Sequence, residues 1–245
     1  FSEKHGRLDE TVAKLADIPL VFEPGTRWNY GVSTDVLGRV VETASGMSLP
    51  EFLHERIFEP LGMEDTFFAV PSDKLDRFSA CYAKTEDNGI RRIDEIEDSR
   101  YANSVTMFSG GGGLCSTAKD YMRFMEMIRT HGGKGSDPVL GRKSVELMLM
   151  NHLPGDMASM GQSVFSEMPM KGIGFGLGGS VVLNPAQAQV LGTAGEWAWG
   201  GVASTGFWID PVEELSVVHM TQLMPSSSYP LRRELRTLVY QAMTN

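Results

Sequence analysis

The last third of the chain restricts the fold most strongly, because it contains three segments rich in β-forming residues and glycine. These segments span residues 172–183, 199–210 and 215–223, and they read GIGFGLGGSVVL, WGGVASTGFWID and LSVVHMTQL. The second and third are joined by the sequence PVEE at residues 211–214, which predicts an antiparallel hairpin. The amphipathic sequence PLRRELRTLVYQAMTN then predicts a closing helix.

Helices are predicted for much of the chain before these strands. Apolar residues recur at helical spacing over residues 8–18, and again after the glycines at 110–113, in a helix closed by Gly132. Because helices come first, strands later and one helix last, the order favours an α+β fold with antiparallel strands over an alternating βαβ fold. We therefore predict a mostly helical region over residues 1–155 and a β-rich portion with the closing helix over residues 156–245.

Two adjacent helices near residue 45 carry clear boundary signals. Ser33 or Thr34 is suited to N-cap the first helix, and Gly46 is suited to end it. The apolar residues on one face of this helix are Val36, Leu37, Val40 and Val41. Ser48 then starts a capping box for a second helix, which we predict to stop at Gly62.

The charge of the chain argues against some partners. The 31 Asp and Glu residues outnumber the 22 Lys and Arg residues, which gives a net charge of −9 at neutral pH. Nucleic acids and anionic membrane surfaces both require concentrated positive charge, so we expect neither as a partner. Since no long uncharged apolar run occurs in the sequence, we also expect no membrane span.

The sequence CSTAKD at residues 115–120 contains the spacing S-x-x-K, which one group of serine hydrolases uses for its nucleophile. Lys119 would lie one helical turn from Ser116 and could accept the proton of its hydroxyl. Ser116 also stands just before the helix predicted after the glycines, where a serine commonly caps the backbone. The local sequence is compatible with either role.

Two other stretches could contribute to a catalytic site. The sequence GEWAWGG at residues 195–201 is as typical of a packed core strand as of open backbone whose N–H groups stabilise an oxyanion. Tyr30 lies between a Pro-Gly turn and a predicted helix N-terminus. A tyrosine in such a place is usually a packing residue, although a helix N-terminus also favours the phenolate that a tyrosine base requires.

Gly174, Gly176 and Gly179 satisfy the pattern G-x-G-x-x-G of dinucleotide-binding proteins. That motif requires a helix after the glycines, because the helix N-terminus binds the pyrophosphate. The residues that follow predict a strand and a turn instead. We therefore interpret these glycines as positions where strands pack closely.

Four longer segments carry a resemblance that covers nearly the whole chain. In order, they read FEPGTRWNYGVSTDVLGRVVE, FLHERIFEPLGMEDTFF, SGGGGLCSTAKDYMRFMEM and WGGVASTGFWIDPVEELSVVHMTQ. Together they resemble the class C β-lactamases and their carboxylesterase relatives, and W-G-G in place of K-T-G is nearest the carboxylesterase branch. The resemblance implies a β-lactamase/transpeptidase-like fold, with helices flanking an antiparallel sheet beside a helical region, of which this chain would hold an incomplete copy.

The resemblance also implies roles for individual residues. In that family an S-x-x-K serine is the nucleophile, its lysine is the proton partner and a tyrosine is a further base. The tyrosine matches Tyr30 in this sequence. Trp199, Gly200 and Gly201 match the strand that forms one wall of the substrate site, and the backbone N–H of Val202 would then form part of the oxyanion hole.

The order of the motifs bears on Ser116. In the family the nucleophile precedes the tyrosine, whereas Ser116 follows Tyr30 and lies where relatives have a serine that caps a helix. Ser2 and Ser72 have a lysine only two positions later. We therefore expect Ser116 to be a helix cap, and we expect the nucleophile to be missing from these residues and supplied by an upstream segment of a longer protein.

The resemblance implies that the complete protein is a serine esterase that cleaves carboxylic esters through an acyl-enzyme, and that this chain alone is inactive. Acyl transfer, β-lactam hydrolysis and cleavage of D-amino-acid peptides are alternatives, although Val32 stands where β-lactamases have an asparagine. A non-catalytic fragment or pseudoenzyme is the alternative from another class. The expected partners are a small-molecule ester and the missing N-terminal segment, and we expect neither a metal ion nor an organic cofactor.

Overall fold

The computed structural model describes residues 6–102, 105–133, 138–166 and 168–244, so Ser2 lies outside the described residues. The chain forms two compact units. The first contains the residues up to Glu23, Tyr30–Cys81 and Arg92–Arg123; the second contains Pro24–Asn29, Tyr82–Arg91 and the residues from Phe124 onward. The linear division predicted at residue 155 stays a prediction.

Helices predominate before residue 150 and short strands after it. The helical segments are α1 (Leu8–Ala16), α2 (Ser33–Ser45), α3 (Leu49–Leu53), a π-helical turn (His54–Phe58), α4 (Glu59–Leu61), a 3-10 helix (Ser72–Arg77), α5 (Ala118–Arg129), α6 (Arg142–Leu149), α7 (Pro185–Ala188), a second 3-10 helix (Ser226–Ser228) and α8 (Leu231–Gln241). The strands are β1 (Cys81–Lys84), β2 (Ile90–Asp94), β3 (Val164–Phe165), β4 (Met168–Pro169), β5 (Ile173–Phe175), β6 (Ser180–Val182), β7 (Trp197–Gly200), β8 (Gly206–Asp210), β9 (Leu215–His219) and β10 (Leu223–Met224). Among the described residues, no helix combines the length and apolarity that crossing a membrane requires.

Five strands of the second unit form one antiparallel sheet in the order β5-β6-β7-β8-β9. All five residues of β8 are buried, and this strand pairs with β7 on one side and with β9 on the other. The hairpin predicted across residues 211–214 is therefore confirmed. The closing helix is confirmed as α8, and the combination of helices with an antiparallel sheet confirms the predicted α+β class.

The first unit has a core in which α1, α3 and the loop after α4 meet. Leu8, Leu49 and Phe68 are its buried residues. α2 contributes through Gly38, where an added Cβ would lie only 3.0 Å from the side chain of Leu49. The predicted apolar face of α2 is largely exposed, because only Val41 of its four residues packs against this core.

The predicted helix boundaries in this unit are mostly confirmed. Gly46 and Gly62 both adopt the left-handed conformation at the ends of their helices, which a residue without a Cβ reaches at little cost. Ser48 forms the predicted capping box with Glu51. The N-cap predicted at Ser33 or Thr34 is wrong, because α2 already begins at Ser33 and Val32 holds the cap position without a side-chain hydrogen bond.

Candidate active site

The hydroxyl of Ser116 does not cap helix α5, because the next residue is the cap. Oγ1 of Thr117 accepts a hydrogen bond from the backbone N–H of Asp120 at 3.2 Å, within the first turn. Ser116 Oγ instead lies 2.8 Å from Oγ1 of Thr66. The predicted cap is therefore wrong by one position, since the Ser116 side chain bonds to a neighbouring loop.

The S-x-x-K spacing at Ser116 belongs to a structural network in this unit. Lys119 is exposed, whereas Ser116 is half-buried. Asp120 is buried, and its Oδ2 accepts hydrogen bonds from the backbone N–H of Asp65 at 2.7 Å and from the hydroxyl of Thr66 at 3.1 Å. Because Thr66 donates to this carboxylate, Ser116 is the donor to Thr66, and these bonds join the start of α5 to residues 65 and 66.

Tyr30 lies in the first unit, two residues before the N-cap of α2, and 57% of it is exposed. The helix α2 has 13 residues and begins at Ser33, three residues after Tyr30. The N-terminus of a helix carries partial positive charge, because the dipoles of its peptide groups are aligned. The location therefore suits the proton-accepting role that the resemblance implies for Tyr30, which stays a prediction.

The glycine-rich segment packs directly against the start of α2. An added Cβ on Gly110 would lie 2.3 Å from the carbonyl oxygen of Thr34, and one on Gly111 would lie 2.9 Å from the carboxylate of Asp35. Asp35 is buried and accepts hydrogen bonds from the hydroxyl of Ser109 at 2.5 Å and from the N–H of Gly111 at 3.4 Å. These contacts hold the helix turn that follows Tyr30.

Sequence reasoning missed this supporting role of the glycine-rich segment. In the sequence alone, the four consecutive glycines indicate only the entry to a helix. The sequence alone carries no signal for it, because the burial that obliges the Asp35 carboxylate to find donors elsewhere in the chain is known only from the fold. Only the fold identifies Ser109 and Gly111 as those donors.

Trp199 lies near the end of β7 in the second unit, within a cluster of aromatic rings. Its ring stacks on Phe165 with a centroid distance of 5.1 Å and an interplanar angle of 22°. Phe175 and Trp28 contact it edge to face, at 5.2 and 6.2 Å. Such stacked and edge-to-face pairs stabilise the orientation of a ring, so the surrounding rings fix the position of Trp199.

Gly201 and Val202 lie in the tight turn between β7 and β8. The turn is closed by hydrogen bonds from the N–H of Gly201 to the carbonyl of Thr205 at 3.1 Å and from the N–H of Ser204 to the carbonyl of Gly201 at 3.2 Å. Val202 is 61% exposed. Within the described part of the chain, its backbone N–H donates no hydrogen bond to a protein acceptor. This donor is therefore open to a ligand.

The glycines of the G-x-G-x-x-G pattern lie in and between β5 and β6, as the interpretation of close strand packing requires. An added Cβ on Gly179 would lie 2.5 Å from the indole of Trp197, and one on Gly176 would lie 2.3 Å from the carbonyl oxygen of Met148. A strand follows these glycines, not a helix. In the ranges that the structure describes, no group of three or more His, Cys, Asp and Glu side chains is arranged to hold a metal ion.

A comparison with known protein families matches residues 1–241 to the model of the beta-lactamase family. The chain belongs to the beta-lactamase family. The antiparallel sheet and helices described above are thus those of the β-lactamase/transpeptidase-like fold, as the resemblance implied.

Within the beta-lactamase family, the chain is similar to two proteins in sequence and to a third in structure. Protein Rv1367c of Mycobacterium tuberculosis is 33% identical over 223 residues, which are 90% of this chain and 55% of that protein. Esterase EstB of Burkholderia gladioli is 32% identical over 248 residues, which cover 95% of this chain and 59% of that protein. The structure of EstCE1, a hydrolase with promiscuous acyltransferase activity, matches with a TM-score of 0.82 and 27% identity over 98% of this chain and 62% of that chain. The chain therefore spans less than two thirds of each relative.

Proposed function

We propose that the complete protein carrying this chain is a serine esterase that hydrolyses carboxylic esters through an acyl-enzyme. The observation that supports this most directly is the open backbone N–H of Val202, in a turn anchored beside Trp199. Family membership and the similarity to EstB and EstCE1 support the same class of chemistry. The substrate is a small-molecule ester, and no metal ion or organic cofactor takes part.

The proposed reaction has two similar halves. A serine oxygen bonds to the ester carbonyl carbon, and the electron pair of the C=O bond moves to its oxygen, where the N–H of Val202 stabilises the negative charge. The C=O bond then re-forms while the alcohol leaves with a proton. Water attacks the acyl-enzyme in the same way and releases the carboxylate and the free serine. In each half Tyr30 accepts the proton of the attacking hydroxyl and returns it to the departing oxygen, which is that of the alcohol in the first half and that of the serine in the second.

We propose that the nucleophile is an S-x-x-K serine in an upstream segment of the complete protein. Ser116 is the one serine of this sequence with a lysine three residues later, and its hydroxyl is engaged by Thr66. The same upstream segment would cover apolar side chains of the first unit that are exposed in these residues. Among them are Val21 at 89%, Leu37 at 57% and Val40 at 55% exposure.

Acyl transfer is a second candidate, because the structurally similar EstCE1 is described as a hydrolase with promiscuous acyltransferase activity. Transfer differs from hydrolysis only in the acceptor, which is an alcohol in place of water. β-Lactam hydrolysis has less support, since residue 32 is valine and not asparagine. Assays with an ester and with a D-Ala peptide distinguish ester hydrolysis and acyl transfer from D-amino-acid peptide cleavage. A non-catalytic protein would turn over neither substrate.

The test is to offer the purified complete protein a short-chain nitrophenyl ester, a chromogenic cephalosporin and a D-Ala peptide. We expect turnover of the ester, and acyl transfer when a second alcohol is added. A fluorophosphonate should label a serine outside these 245 residues, as located by peptide mass. Absence of ester turnover, or labelling of Ser116, would contradict the proposal.

Substitution of Tyr30 by Phe tests the proposed base directly. We expect kcat to fall by about 10²–10⁴-fold, the usual contribution of a positioned general base, with little change in KM. Tyr229→Phe is the matched control, because Tyr229 also loses only a hydroxyl and contacts Lys84 through its ring. Equal kcat values for the two variants would remove Tyr30 from the mechanism.

A further inference from the structure

The turn that presents the N–H of Val202 is held from one side by an arginine of the last helix. Arg232 lies in the first turn of α8. Its Nη2 donates hydrogen bonds to the carbonyl oxygens of Gly201 at 2.7 Å and Thr205 at 2.8 Å, and its Nε donates to Thr205 at 3.0 Å. The guanidinium therefore binds both ends of the turn at once.

The carbonyl of Gly201 and the N–H of Val202 belong to the same peptide group. In a trans peptide, the C=O and N–H bonds point in nearly opposite directions because the group is planar. Arg232 fixes the oxygen of this group, and the N–H must then point away from the guanidinium. A charged donor on the oxygen also polarises the group, which strengthens the N–H as a hydrogen-bond donor.

Two glycines make room for this arginine. An added Cβ on Gly200 would lie 2.6 Å from Nε of Arg232, and one on Gly206 would lie 3.3 Å from its Cγ and Nε. These residues face each other across the β7–β8 pair. The second position of W-G-G is therefore glycine, because the side chain of Arg232 occupies the space into which a Cβ at Gly200 would project.

The helix that carries Arg232 is anchored to the same sheet. Four residues further along α8, Nη2 of Arg236 lies 2.7 Å from Oε1 of Glu196, directly before β7. Another turn on, the hydroxyl of Tyr240 lies 2.7 Å from Oδ2 of Asp210 in β8. Arg232, Arg236 and Tyr240 thus form one polar stripe at helical spacing, so the guanidinium is presented by a fixed element.

We propose that Arg232 is a positioning residue for the acyl-transfer chemistry, in that it orients and polarises the Gly201–Val202 peptide group for the oxyanion hole. This inference rests on the proposed function and deepens it. An oxyanion exists only in the transition state and intermediate, so the arginine acts on kcat and leaves substrate affinity nearly unchanged.

The first test compares Arg232→Gln with Arg233→Gln in the complete protein. Both substitutions remove one positive charge, but Arg233 is an exposed neighbour in the same helix turn. We expect Arg232→Gln to lower kcat for the ester by about 10–100-fold with KM within about 3-fold, as for indirect loss of one oxyanion donor. Arg233→Gln should retain the kcat of the parent. Loss through KM alone, or equal kcat in both variants, would overturn the proposal.

A double-mutant cycle distinguishes positioning from general destabilisation. Gly200→Ala should lower kcat because the new methyl group displaces the guanidinium. In the Arg232→Ala background the side chain that collides is absent, so Gly200→Ala should cost little more. Fully additive losses would mean that the glycine and the arginine act independently, and would overturn the proposal.

A measurement independent of activity separates this inference from the proposed function. In protein labelled with ¹⁵N-valine, the Val202 amide resonance should shift on Arg232→Gln, while that of Val145, buried in α6, stays in place. If the ester assay fails but this shift occurs, positioning stands and the esterase proposal falls. An unchanged Val202 resonance in a folded variant would overturn the role of Arg232.

Discussion

The Tyr30 region of the first unit and the W-G-G region of the second both depend on glycine, but for different physical reasons. Gly110 admits a backbone atom, since the carbonyl of Thr34 would lie 2.3 Å from an added Cβ. Gly200 admits the end of a side chain, the guanidinium of Arg232. A helix backbone moves only with its whole helix, whereas an arginine can rotate away. The same substitution should therefore have a larger structural effect in the first region.

The two regions also differ in how they hold buried charge. Asp35 in the first unit accepts bonds from a hydroxyl and a backbone N–H. In the second unit, one tyrosine hydroxyl lies within 2.8 Å of Glu196 and 2.7 Å of Asp210. The hydroxyl has one proton and can donate it to only one of the two carboxyl groups. The other contact is a hydrogen bond only if that carboxyl group is itself protonated and donates to the tyrosine oxygen. The second region should therefore respond to pH through this pair.

Substitution of Gly110 by Ala sharpens the comparison most. The added methyl group meets the Thr34 carbonyl, and relief requires a shift of the first turn of α2 beside Tyr30. We expect the free energy of unfolding to fall by about 2–3 kcal/mol, at the upper end for an inserted methyl group. Chemical denaturation of the complete protein measures this, and ester turnover should decline with it.

Gly112→Ala is the matched control for that substitution. It lies two residues away in the same segment, and an added Cβ there would meet no atom within 4 Å. Its free energy of unfolding should stay within about 0.5 kcal/mol of the parent. Gly200→Ala should lie between the two. If Gly200→Ala destabilised the protein more than Gly110→Ala, the distinction between backbone and side-chain contacts would be wrong.

The carboxylate pair predicts a pH dependence of stability in the second region. Burial raises the pKa of Glu196 to about 7, although the charge of Arg236 opposes the rise. Burial also acts to raise the pKa of Asp210, but hydrogen bonds from Thr193, Tyr240 and two backbone N–H groups outweigh it and hold this pKa below its usual value. Glu196 is therefore the carboxyl group that keeps a proton.

The sign of the effect follows from the raised pKa of Glu196. Below its ordinary value of 4.5 the group is protonated in the folded and unfolded states alike. Between 4.5 and about 7 the unfolded state releases a proton that the folded state retains, so stability decreases as pH rises. We expect a decrease on the order of 3 kcal/mol, measured by denaturation at a series of pH values.

Glu196→Gln removes the titrating group, and with it this contribution to the pH dependence of stability. The amide NH₂ of the glutamine can still donate to the Tyr240 oxygen, and its carbonyl oxygen can still accept from Arg236. The stability of this variant should therefore vary less between pH 4.5 and 7 than that of the parent. Glu213→Gln, an exposed position in the β8–β9 turn, should retain the parent profile. The same profile in Glu196→Gln as in the parent would assign the pH dependence to other groups.

Much of the fold followed from local sequence, because its signals are local. The capping box at Ser48, the terminal glycines Gly46 and Gly62, and the hairpin across residues 211–214 each depend on residues within a few positions of one another. Residues with distant partners were not predictable in this way. Asp35 bonds to Ser109, and Arg232 bonds to a turn about thirty residues earlier.

The residues of the candidate site also differ in whether the sequence predicts them. Tyr30 and the residues from Trp199 to Val202 were assigned through a resemblance of motifs, and their catalytic roles stay predictions. Of the residues that support them, Gly110 lies in a segment that carries the resemblance but has no assigned role there, and Arg232 belongs to no motif. Their contribution is visible only where strands and helices bring them against the motif residues. Sequence therefore indicated the candidate chemistry but not its supports.

The smallest predicted effect concerns the start of α5, where Ser116 was expected to cap the helix. Because Thr117 accepts the bond from the Asp120 N–H, Thr117→Ala should lower the free energy of unfolding by about 1 kcal/mol. Hydrogen exchange at the Asp120 amide should accelerate in Thr117→Ala but not in Ser116→Ala, which loses only the bond to Thr66.

Lys119→Ala, at an exposed position, should leave both stability and ester turnover unchanged. Loss of turnover in Lys119→Ala would instead restore the S-x-x-K pair as catalytic, and would contradict the assignment of the nucleophile to another part of the protein.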